Sequence, residues 1–352
     1  MMEIRLILTS VGGLVAPSMI KSLKKYFKDI YIVGLDTSEN AVGFHFADAH
    51  YLVPYGNDPE YASKLLEIAI KEKINFIIPG SDEETLALAK NKKKFESNDI
   101  KPLCSDYEKC EIAFNKGKML DFLKIRGIKT PKFRLPTNHK QFLNYAKELG
   151  YPEKKIVLKP TISRGARGFW VLDANFDEQY GLLKDRDRQT TKLENVSEIL
   201  LKSKLFPSII LMEYLEGEDF NIEVLAKDGD VFYIIPHIRL VPKAGPVQVG
   251  YVKEDYKINK LIKKIVKVFE FDFYLNIEVA YNIQKNIPMI YEINARIGAP
   301  IVITAAAGIN LLAKGIELAM GIPIKKNLKV QETMMIRYWN ELFIKKNRYF
   351  NS

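Results

Sequence analysis

The sequence predicts an α/β protein in which an N-terminal parallel-sheet domain precedes an α+β domain of antiparallel strands and helices. Over the first hundred residues, short apolar runs alternate with amphipathic stretches, a pattern typical of a parallel sheet covered by helices. After Asn115 the pattern changes to strands joined by tight turns, as at Asp228-Gly229. The chain has 352 residues, which is enough for two or three domains.

The first domain is predicted as a Rossmann-like fold over residues 1–111. Its expected strands are 6–8, 30–36, 50–54 and 76–79, and its expected helices are 16–27 and 61–71. Two segments, 11–13 and 80–84, follow strand ends. Parallel sheets bind ligands at such positions, so this edge is a candidate site.

The second domain is predicted over residues 112–325, divided at residue 206 into two subdomains, with a tail over 326–352. Its expected helices are 116–125, 258–269 and 305–320. Its expected strands are 156–160 and 208–213, followed by hairpins of 220–225 with 231–236 and of 276–281 with 288–294.

Composition excludes several classes of protein. The net charge of +10 comes mainly from lysines spread along helical faces, which favours a solvated surface over a nucleic-acid stripe. No apolar run reaches the roughly 18 residues of a membrane span, and the start reads as a strand rather than a signal peptide. Cys104 and Cys110 lack a metal-binding spacing, so neither a disulfide nor zinc is expected. We therefore expect a cytoplasmic protein.

The second hairpin carries the strongest chemical signal. If it is symmetric about Lys285, Glu278 lies directly across from Glu292, and Asn294 shares their face of the sheet. Two carboxylates with no lysine between them repel each other unless a cation lies in the gap, and hard oxygen ligands suit Mg²⁺. Arg296 lies on the same side and could bind a phosphate oxygen bidentately. The alternative is an ordinary charged strand surface.

Two further segments suit a nucleotide. Lys159 ends a strand, and the loop after it contains Gly165 and Gly168, which let backbone N–H groups approach phosphate oxygens. The GK[ST] sequence of a Walker loop is absent. Over residues 212–223 a strand ends in an acidic segment broken by Gly217, which leaves backbone groups free for an adenine edge and an acid for ribose hydroxyls. Taken alone, each segment is better explained as an ordinary turn.

Taken in order, these segments resemble the ATP-grasp superfamily, particularly its carbamoyl-phosphate synthase-like and D-alanine–D-alanine ligase-like carboxylate–amine ligases. The resemblance extends from about residue 3 to residue 325. Lys116 and Met119, followed by Leu123, Gly127 and Pro131, are similar to the family's pattern DKxxM…L…GIPxP. The N-terminal domain resembles the family's pre-ATP-grasp domain.

The resemblance implies ATP and Mg²⁺ as cofactors, with Mn²⁺ as the alternative metal, and it implies a role for each matching residue. Those roles are ATP phosphate contacts from Lys116, Lys159, Gly165 and Gly168, adenine contacts from Glu213, Tyr214 and Leu215, a ribose contact from Asp219, metal ligation by Glu278, Glu292 and Asn294, and catalysis by Arg296 with Lys159. Asp219 is shorter than the family's usual glutamate, and Glu278 stands where glutamine is common. Neither departure removes a charge that phosphoryl transfer needs.

The implied reaction joins a carboxylate to an amine through an acyl phosphate, releasing ADP and phosphate. The first alternative is a carboxyphosphate or carbamate kinase similar to carbamoyl-phosphate synthase. A second is an NAD-binding oxidoreductase, because Gly12-Gly13 and Asp36 match half of a Rossmann fingerprint, although its third glycine is absent. A non-catalytic nucleotide-binding module is disfavoured because the expected magnesium ligands are all present.

The expected partners are a small-molecule carboxylate and an amine. On the resemblance, Arg239 contacts the carboxylate substrate, and His237 either does the same or is an ordinary loop histidine. Residues 15–18 and 81–84 are candidates for selecting the amine. No nucleic-acid or membrane partner is expected, and a homodimer is left open.

Overall fold

A computed structural model shows three larger sheets arranged in sequence order along the chain, each covered by helices. The residues that it describes are 3–163, 167–183, 189–240, 247–326, 328–338, 340–345 and 348–351.

The N-terminal sheet has five parallel strands in the order β3-β2-β1-β4-β5. Its elements are β1 (Ile4–Thr9), α1 (Ala16–Tyr26), β2 (Ile30–Asp36), β3 (Ala49–Leu52), α2 (Tyr61–Lys71), β4 (Phe76–Ile78), α3 (Asp82–Lys90), α4 (Lys92–Glu96), β5 (Lys101–Pro102) and α5 (Tyr107–Phe114). β1 is almost entirely buried, as expected for a strand covered on both faces. The predicted α/β domain is confirmed. Cys104 and Cys110 are free and buried.

The second sheet is mostly antiparallel, in the order β6-β10-β7-β8-β9. Its elements are α6 (Lys116–Ile125), β6 (Phe133–Arg134), α7 (His139–Leu149), β7 (Ile156–Pro160), β8 (Trp170–Leu172), α8 (Glu178–Leu183), β9 (Thr190–Thr191), α9 (Leu193–Lys202) and β10 (Ile209–Glu213). α6 begins where predicted because the Asn115 side chain accepts a hydrogen bond from the backbone N–H of Lys118 at 3.1 Å. It contacts the third sheet at β15, described next.

The third sheet has six strands in the order β15-β14-β11-β12-β13-β16. The remaining elements are β11 (Asp219–Lys227), β12 (Asp230–Arg239), β13 (Val249–Val252), α10 (Tyr256–Phe269), β14 (Phe273–Asn282), β15 (Ile287–Asn294), α11 (Val302–Ala306), α12 (Leu311–Ala319), β16 (Met334–Ile336), β17 (Leu342–Lys345) and β18 (Arg348–Asn351). Both predicted hairpins are present, and α10 buries the predicted apolar face against the sheet.

The C-terminal part of the chain departs from the prediction in two respects. The single helix expected over 305–320 is two helices, because Gly308 adopts a positive φ of 93° and Asn310 then caps α12. The segment predicted as a tail supplies β16, which pairs with β13 through Tyr251 and Met334. Within the described ranges, no single helix is long and apolar enough to cross a membrane, and only one helix pair, sharply bent, passes that test by length and composition.

Candidate nucleotide and metal site

The pairing of the second hairpin brings the predicted metal ligands together. Glu278 on β14 lies opposite Glu292 on β15, and Asn276 lies opposite Asn294. A bulge next to this pair leaves Tyr291 as an extra residue, since Val279 pairs with Ile290. The predicted convergence of the two glutamates is confirmed, and their role as metal ligands stays a prediction.

Two lysines from the neighbouring subdomain contact one member of this pair, Glu292, which the sequence analysis did not predict. Lys159 Nζ lies 3.3 Å from one oxygen of Glu292, and Lys116 Nζ lies 3.4 Å from the other. Burial acts to raise the pKa of Glu292, but the two ammonium groups outweigh it and the pKa is lowered. The sequence could not show this contact because it depends on how the second sheet packs on the third.

Glu278 has the opposite electrostatic environment. Burial raises its pKa, and the negative charge of Glu292 raises it further. Its hydrogen-bond donor is the side-chain amide of Asn221 at 3.4 Å. A buried carboxylate pair that resists full ionisation fits a cation with oxygen ligands. Within the described residues no group of three or more His, Cys, Asp or Glu side chains is placed to hold a metal, so a site here needs the Asn294 oxygen as well.

Arg296 lies beside Asn294 but is already engaged on three sides. Its Nε donates to Asp82 of the N-terminal domain at 2.9 Å, and its other nitrogens donate to Asn294 Oδ1 at 3.2 Å and to the Ile297 carbonyl at 2.9 Å. The sequence analysis missed Asp82 as a partner, although its place at the start of a helix after a strand end marked it as a candidate. The guanidinium is thus held at the junction of two domains.

A cavity of about 1090 Å³ opens above these residues between the second and third sheets. Most of the predicted site residues line it: Lys159, Glu213, Tyr214, Leu215, Asp219, Arg239, Glu278, Glu292, Asn294 and Arg296. Lys116 reaches the same region through Glu292 and through Ser163, whose carbonyl accepts from Lys116 Nζ at 3.3 Å. The structure therefore brings together residues predicted from five separate segments.

The residues predicted to contact adenine and ribose line this cavity. The Glu213 carboxylate accepts from the backbone N–H of Lys132 at 3.0 Å and from the Asn282 side chain at 2.8 Å, so its role is to hold the strand end. Asp219 accepts from the Tyr291 hydroxyl at 2.6 Å. Tyr291, the bulge residue that the sequence analysis missed, also places its ring 4.5 Å from Lys159 Nζ.

The predicted phosphate loop is described in part. Gly165 lies outside the described residues. Gly168 has a φ of 73°, and a Cβ there would lie 2.7 Å from Cγ of Pro160, so a glycine is required next to the end of β7.

The two predicted substrate residues lie within β12, and not on a segment after the hairpin. Arg239 lines the cavity, and the carboxylate of Glu278 and its neighbours raise the guanidinium pKa although burial opposes them. His237 is fully buried, neither of its ring nitrogens has a hydrogen-bond partner in the described residues, and burial lowers its pKa to about 3. It is not among the residues that line the cavity, so direct contact with a ligand in the cavity is disfavoured.

A second cavity of about 810 Å³ lies at the carboxyl edge of the N-terminal sheet, where the sequence predicted it. Three carboxylates line it, from Asp36, Glu83 and Glu84. Asp36 accepts a hydrogen bond from the backbone N–H of Gly12 at 2.6 Å. The carboxylate that would contact the ribose in a Rossmann site is therefore hydrogen-bonded to the loop after β1.

The two cavities meet. Both are lined by Gly80, Ser81, Arg167, Arg296 and Ala299. A ligand bound in one cavity can therefore come close to a ligand bound in the other cavity, beside Arg167 and Arg296.

Comparisons with known proteins agree with this architecture. The family profile described as PylC-like, N-terminal domain, matches residues 6–103, and the profile described as ATP-grasp in the biosynthetic pathway with Ter operon matches residues 205–342. The chain is 23% identical over 303 residues to the carbamoyl phosphate synthase large chain of Pseudothermotoga lettingae, covering 80% of this chain and 24% of that protein. It is 25% identical over 178 residues to the phosphoribosylamine–glycine ligase of Fusobacterium nucleatum, covering 49% and 36%. The chain thus spans about a quarter to a third of the length of these two relatives.

Solved structures show the same fold. Carboxyaminoimidazole ribonucleotide synthase of Aspergillus clavatus, complexed with ATP, superposes with a TM-score of 0.71 at 15% identity, covering 96% of this chain and 82% of that one. The biotin carboxylase domain of Hydrogenobacter thermophilus 2-oxoglutarate carboxylase, with MgADP and bicarbonate, gives 0.67 at 17% identity, covering 94% and 72%. The N-terminal part of the chain is therefore similar to the PylC-like N-terminal domain, its C-terminal part is similar to an ATP-grasp domain, and the whole chain shares the fold of these solved structures.

Proposed function

We propose that the protein is an ATP- and magnesium-dependent ligase that joins a carboxylate to an amine through an acyl phosphate. The observation that carries the proposal is the junction of the two cavities at Arg167 and Arg296. One cavity suits a nucleotide, the other suits small polar molecules, and their shared lining gives a phosphoryl group a place to pass between them. The names of the relatives, a glycine ligase and a carbamoyl phosphate synthase, support the same class of reaction.

The nucleotide is assigned to the larger cavity. Its adenine and ribose lie near Tyr214, Leu215 and Asp219, and its phosphates lie near Lys116 and Lys159. In the protein alone the two buried lysines share a single anionic partner, Glu292. Phosphate oxygens offer these lysines further anionic partners. In the protein without nucleotide, Glu292 occupies the place next to the lysines that a phosphate group takes when ATP binds.

Glu278, Glu292 and the Asn294 oxygen fit a magnesium ion. The two carboxylates face each other across the hairpin, and the pKa of Glu278 is raised partly by the charge of Glu292, which is the repulsion that a divalent cation relieves. When bound, Mg²⁺ supplies charge neutralisation to the transferring phosphoryl group. The protein supplies the ligands and the lysines.

The reaction then has two balanced steps. A carboxylate oxygen of the substrate attacks the γ-phosphorus, and the bond to ADP breaks. The lysines and Arg296 stabilise the charge that develops on the phosphoryl oxygens. The substrate ammonium ion next loses one proton to solvent, its nitrogen attacks the acyl carbon, and the bond to phosphate breaks as a second proton passes from the nitrogen to the leaving phosphate.

The smaller cavity is assigned to the amine. Amines arrive as ammonium ions at neutral pH, and Asp36, Glu83 and Glu84 provide negative charge around the cavity. Glu84 is 5% exposed and held by the hydroxyls of Thr9 and Ser10, each at 2.7 Å. A cytoplasmic location and a homodimer stay predictions of the sequence.

The second candidate is a carboxyphosphate or carbamate kinase. It is favoured by the similarity to carbamoyl phosphate synthase over 80% of this chain. In this alternative bicarbonate replaces the organic carboxylate at the arginine junction, and ATP hydrolysis depends on bicarbonate alone.

The test is ADP release from MgATP, measured with a panel of small carboxylic acids, amino acids and amino sugars. Hydroxylamine in a parallel reaction converts an acyl phosphate to a hydroxamate, which is detected by mass. We expect one acid to give the hydroxamate and one acid–amine pair to give an amide. Turnover that needs only bicarbonate would identify the alternative, and failure to bind MgATP would overturn both.

A further inference from the structure

Beneath the proposed metal ligands lies a polar layer that the sequence analysis did not single out. Asn221 on β11 lies opposite Glu278 on β14, and Glu223 on β11 lies opposite Asn276 on β14. Residues two apart on a strand share a face, so both side chains of β11 point to the side that carries the glutamate pair. Glu223 is completely buried and Asn276 is 3% exposed.

These side chains form a hydrogen-bond chain with a single direction. The Nδ2 of Asn294 donates to Asn276 Oδ1 at 3.3 Å, and the Nδ2 of Asn276 donates to Glu223 Oε1 at 2.7 Å and to Asn221 Oδ1. The Nδ2 of Asn221 then donates to Glu278 Oε1 at 3.4 Å. Two of the three proposed metal ligands, Asn294 and Glu278, are thus connected through Asn276.

Glu223 and Glu278 are the two members of this chain that accept without donating to another member. An asparagine amide can turn over and exchange its oxygen for its nitrogen at almost no steric cost. Asn276 is held against this exchange because its nitrogen donates to two oxygens at once, Glu223 Oε1 and Asn221 Oδ1. With Asn276 fixed, Asn294 must direct its nitrogen inward and its oxygen towards Arg296, which donates to that oxygen at 3.2 Å.

Glu223 is enclosed on all sides by protein. Its second oxygen, Oε2, has no hydrogen-bond partner in the described residues, and burial raises the carboxyl pKa to about 8, so the group is mostly neutral at pH 7. The backbone of Gly298, just after Arg296, packs directly on the pair. A Cβ at Gly298 would lie 2.4 Å from both Glu223 Oε1 and Asn276 Nδ2.

We propose that Glu223 is a positioning residue that acts through Asn276 to make Asn294 present its oxygen, and not its amide nitrogen, to the metal. The inference rests on the proposed function, since only a bound cation distinguishes the two ends of the amide. Partners of metal ligands commonly contribute in this way, and their loss weakens metal affinity by about 10–100-fold.

The experiment measures Mn²⁺ binding by electron paramagnetic resonance in the presence of saturating ADP. Glu223→Met removes the acceptor at similar volume, and we expect Mn²⁺ affinity to fall about 10-fold or more. Glu223→Gln keeps a carbonyl that can accept from Asn276, so its Mn²⁺ affinity should stay within about threefold of wild type. Glu72→Gln is the matched control. Like Glu223, Glu72 is a hydrogen-bond acceptor away from the surface, but its donors are two tyrosine hydroxyls and it lies in the N-terminal domain.

A double-variant cycle tests whether Glu223 acts through Asn276. Asn276→Leu alone should lower Mn²⁺ affinity as Glu223→Met does, and the combination should lose no more than either single change. This arm also covers the case in which Glu223→Met does not fold.

The outcomes separate the two proposals. If the wild type binds no Mn²⁺ with ADP, the proposed function itself fails. If the wild type binds Mn²⁺ and Glu223→Met binds it equally well, the positioning role is wrong. If Glu223→Gln loses as much affinity as Glu223→Met, a hydrogen-bond acceptor for Asn276 does not account for the effect and the proposal is also wrong.

Discussion

Glu292→Gln replaces one carboxylate oxygen with an amide nitrogen at the point where two buried lysines meet. Lys116 and Lys159 are 3% and 7% exposed, and each loses its anionic partner in the variant. Breaking a buried ion pair by removing one partner costs about 3–5 kcal/mol. The Glu292 side chain is 17% exposed, so the lower end of that range applies.

Part of this cost is offset, because the same change removes the repulsion that raises the pKa of Glu278. Taking that relief as about 1 kcal/mol leaves a net loss of about 2 kcal/mol in the free energy of unfolding of the ligand-free protein. The effect on ligands has two signs. ADP without metal should bind at least as tightly as in wild type, because the lysines no longer have an internal competitor. Turnover should fall by on the order of 100-fold because a metal ligand is lost.

The assay combines urea unfolding of the free protein, calorimetric ADP affinity in EDTA, and turnover during a Mg²⁺ titration. Glu148→Gln is the control, because it breaks an exposed ion pair with Arg134 of 2.8 Å and should change none of the three by much. Normal turnover of Glu292→Gln at limiting Mg²⁺ would show that the hairpin does not hold the metal. Weaker ADP binding in EDTA would show that the lysines do not bind phosphates.

Two further predictions concern residues around the site. The pKa of His237 is about 3 in the folded protein and near 6.5 in the unfolded chain, so between these values the unfolded state binds a proton that the folded state does not. The stability that comes from the neutral ring is therefore complete above pH 6.5 and is lost as the pH falls towards 3. Urea unfolding should therefore show His237→Leu gaining about 1.4 kcal/mol relative to wild type between pH 8 and pH 5.5, and no relative change would mean that the ring is not kept neutral. Gly168→Ala places a methyl group 2.7 Å from Pro160 and should lower both the stability of the protein and its ATP affinity. Gly127→Ala is the control, because Gly127 has a similar positive φ but lies in open space. This variant should lose about 1–2 kcal/mol of stability and keep its ATP affinity. Equal ATP affinities in these two glycine variants would contradict the placement of the phosphate loop.

The sequence was most informative where local periodicity decides the structure. The strand Ile30–Asp36 and the helices Tyr61–Lys71 and Lys116–Ile125 have the bounds that apolar spacing and capping predict. The pairing of Glu278 with Glu292 was also correct, but for an incomplete reason. The hairpin loop, residues 283–286, is centred one half-residue before Lys285, and the bulge at Tyr291 restores the predicted register.

The features that were missed depend on contacts between distant elements. The lysines reach Glu292 only because the second sheet packs on the third, and no local pattern encodes that approach. β12 continues to Arg239 because β13 pairs with its outer side, which turned an expected loop histidine into a buried strand residue. The prediction of a single helix over 305–320 was wrong because one glycine with a left-handed backbone conformation is enough to end α11.

The ion pair between Asp82 and Arg296 has a consequence for how this protein can change over evolution. The two residues are 214 positions apart, and each belongs to a different domain. A substitution at either one leaves a half-buried charge without its partner, so the two positions should vary together among relatives. For the same reason, a chimera that combines the first 111 residues of one homologue with the remainder of another should need a compatible acid and base at these two positions.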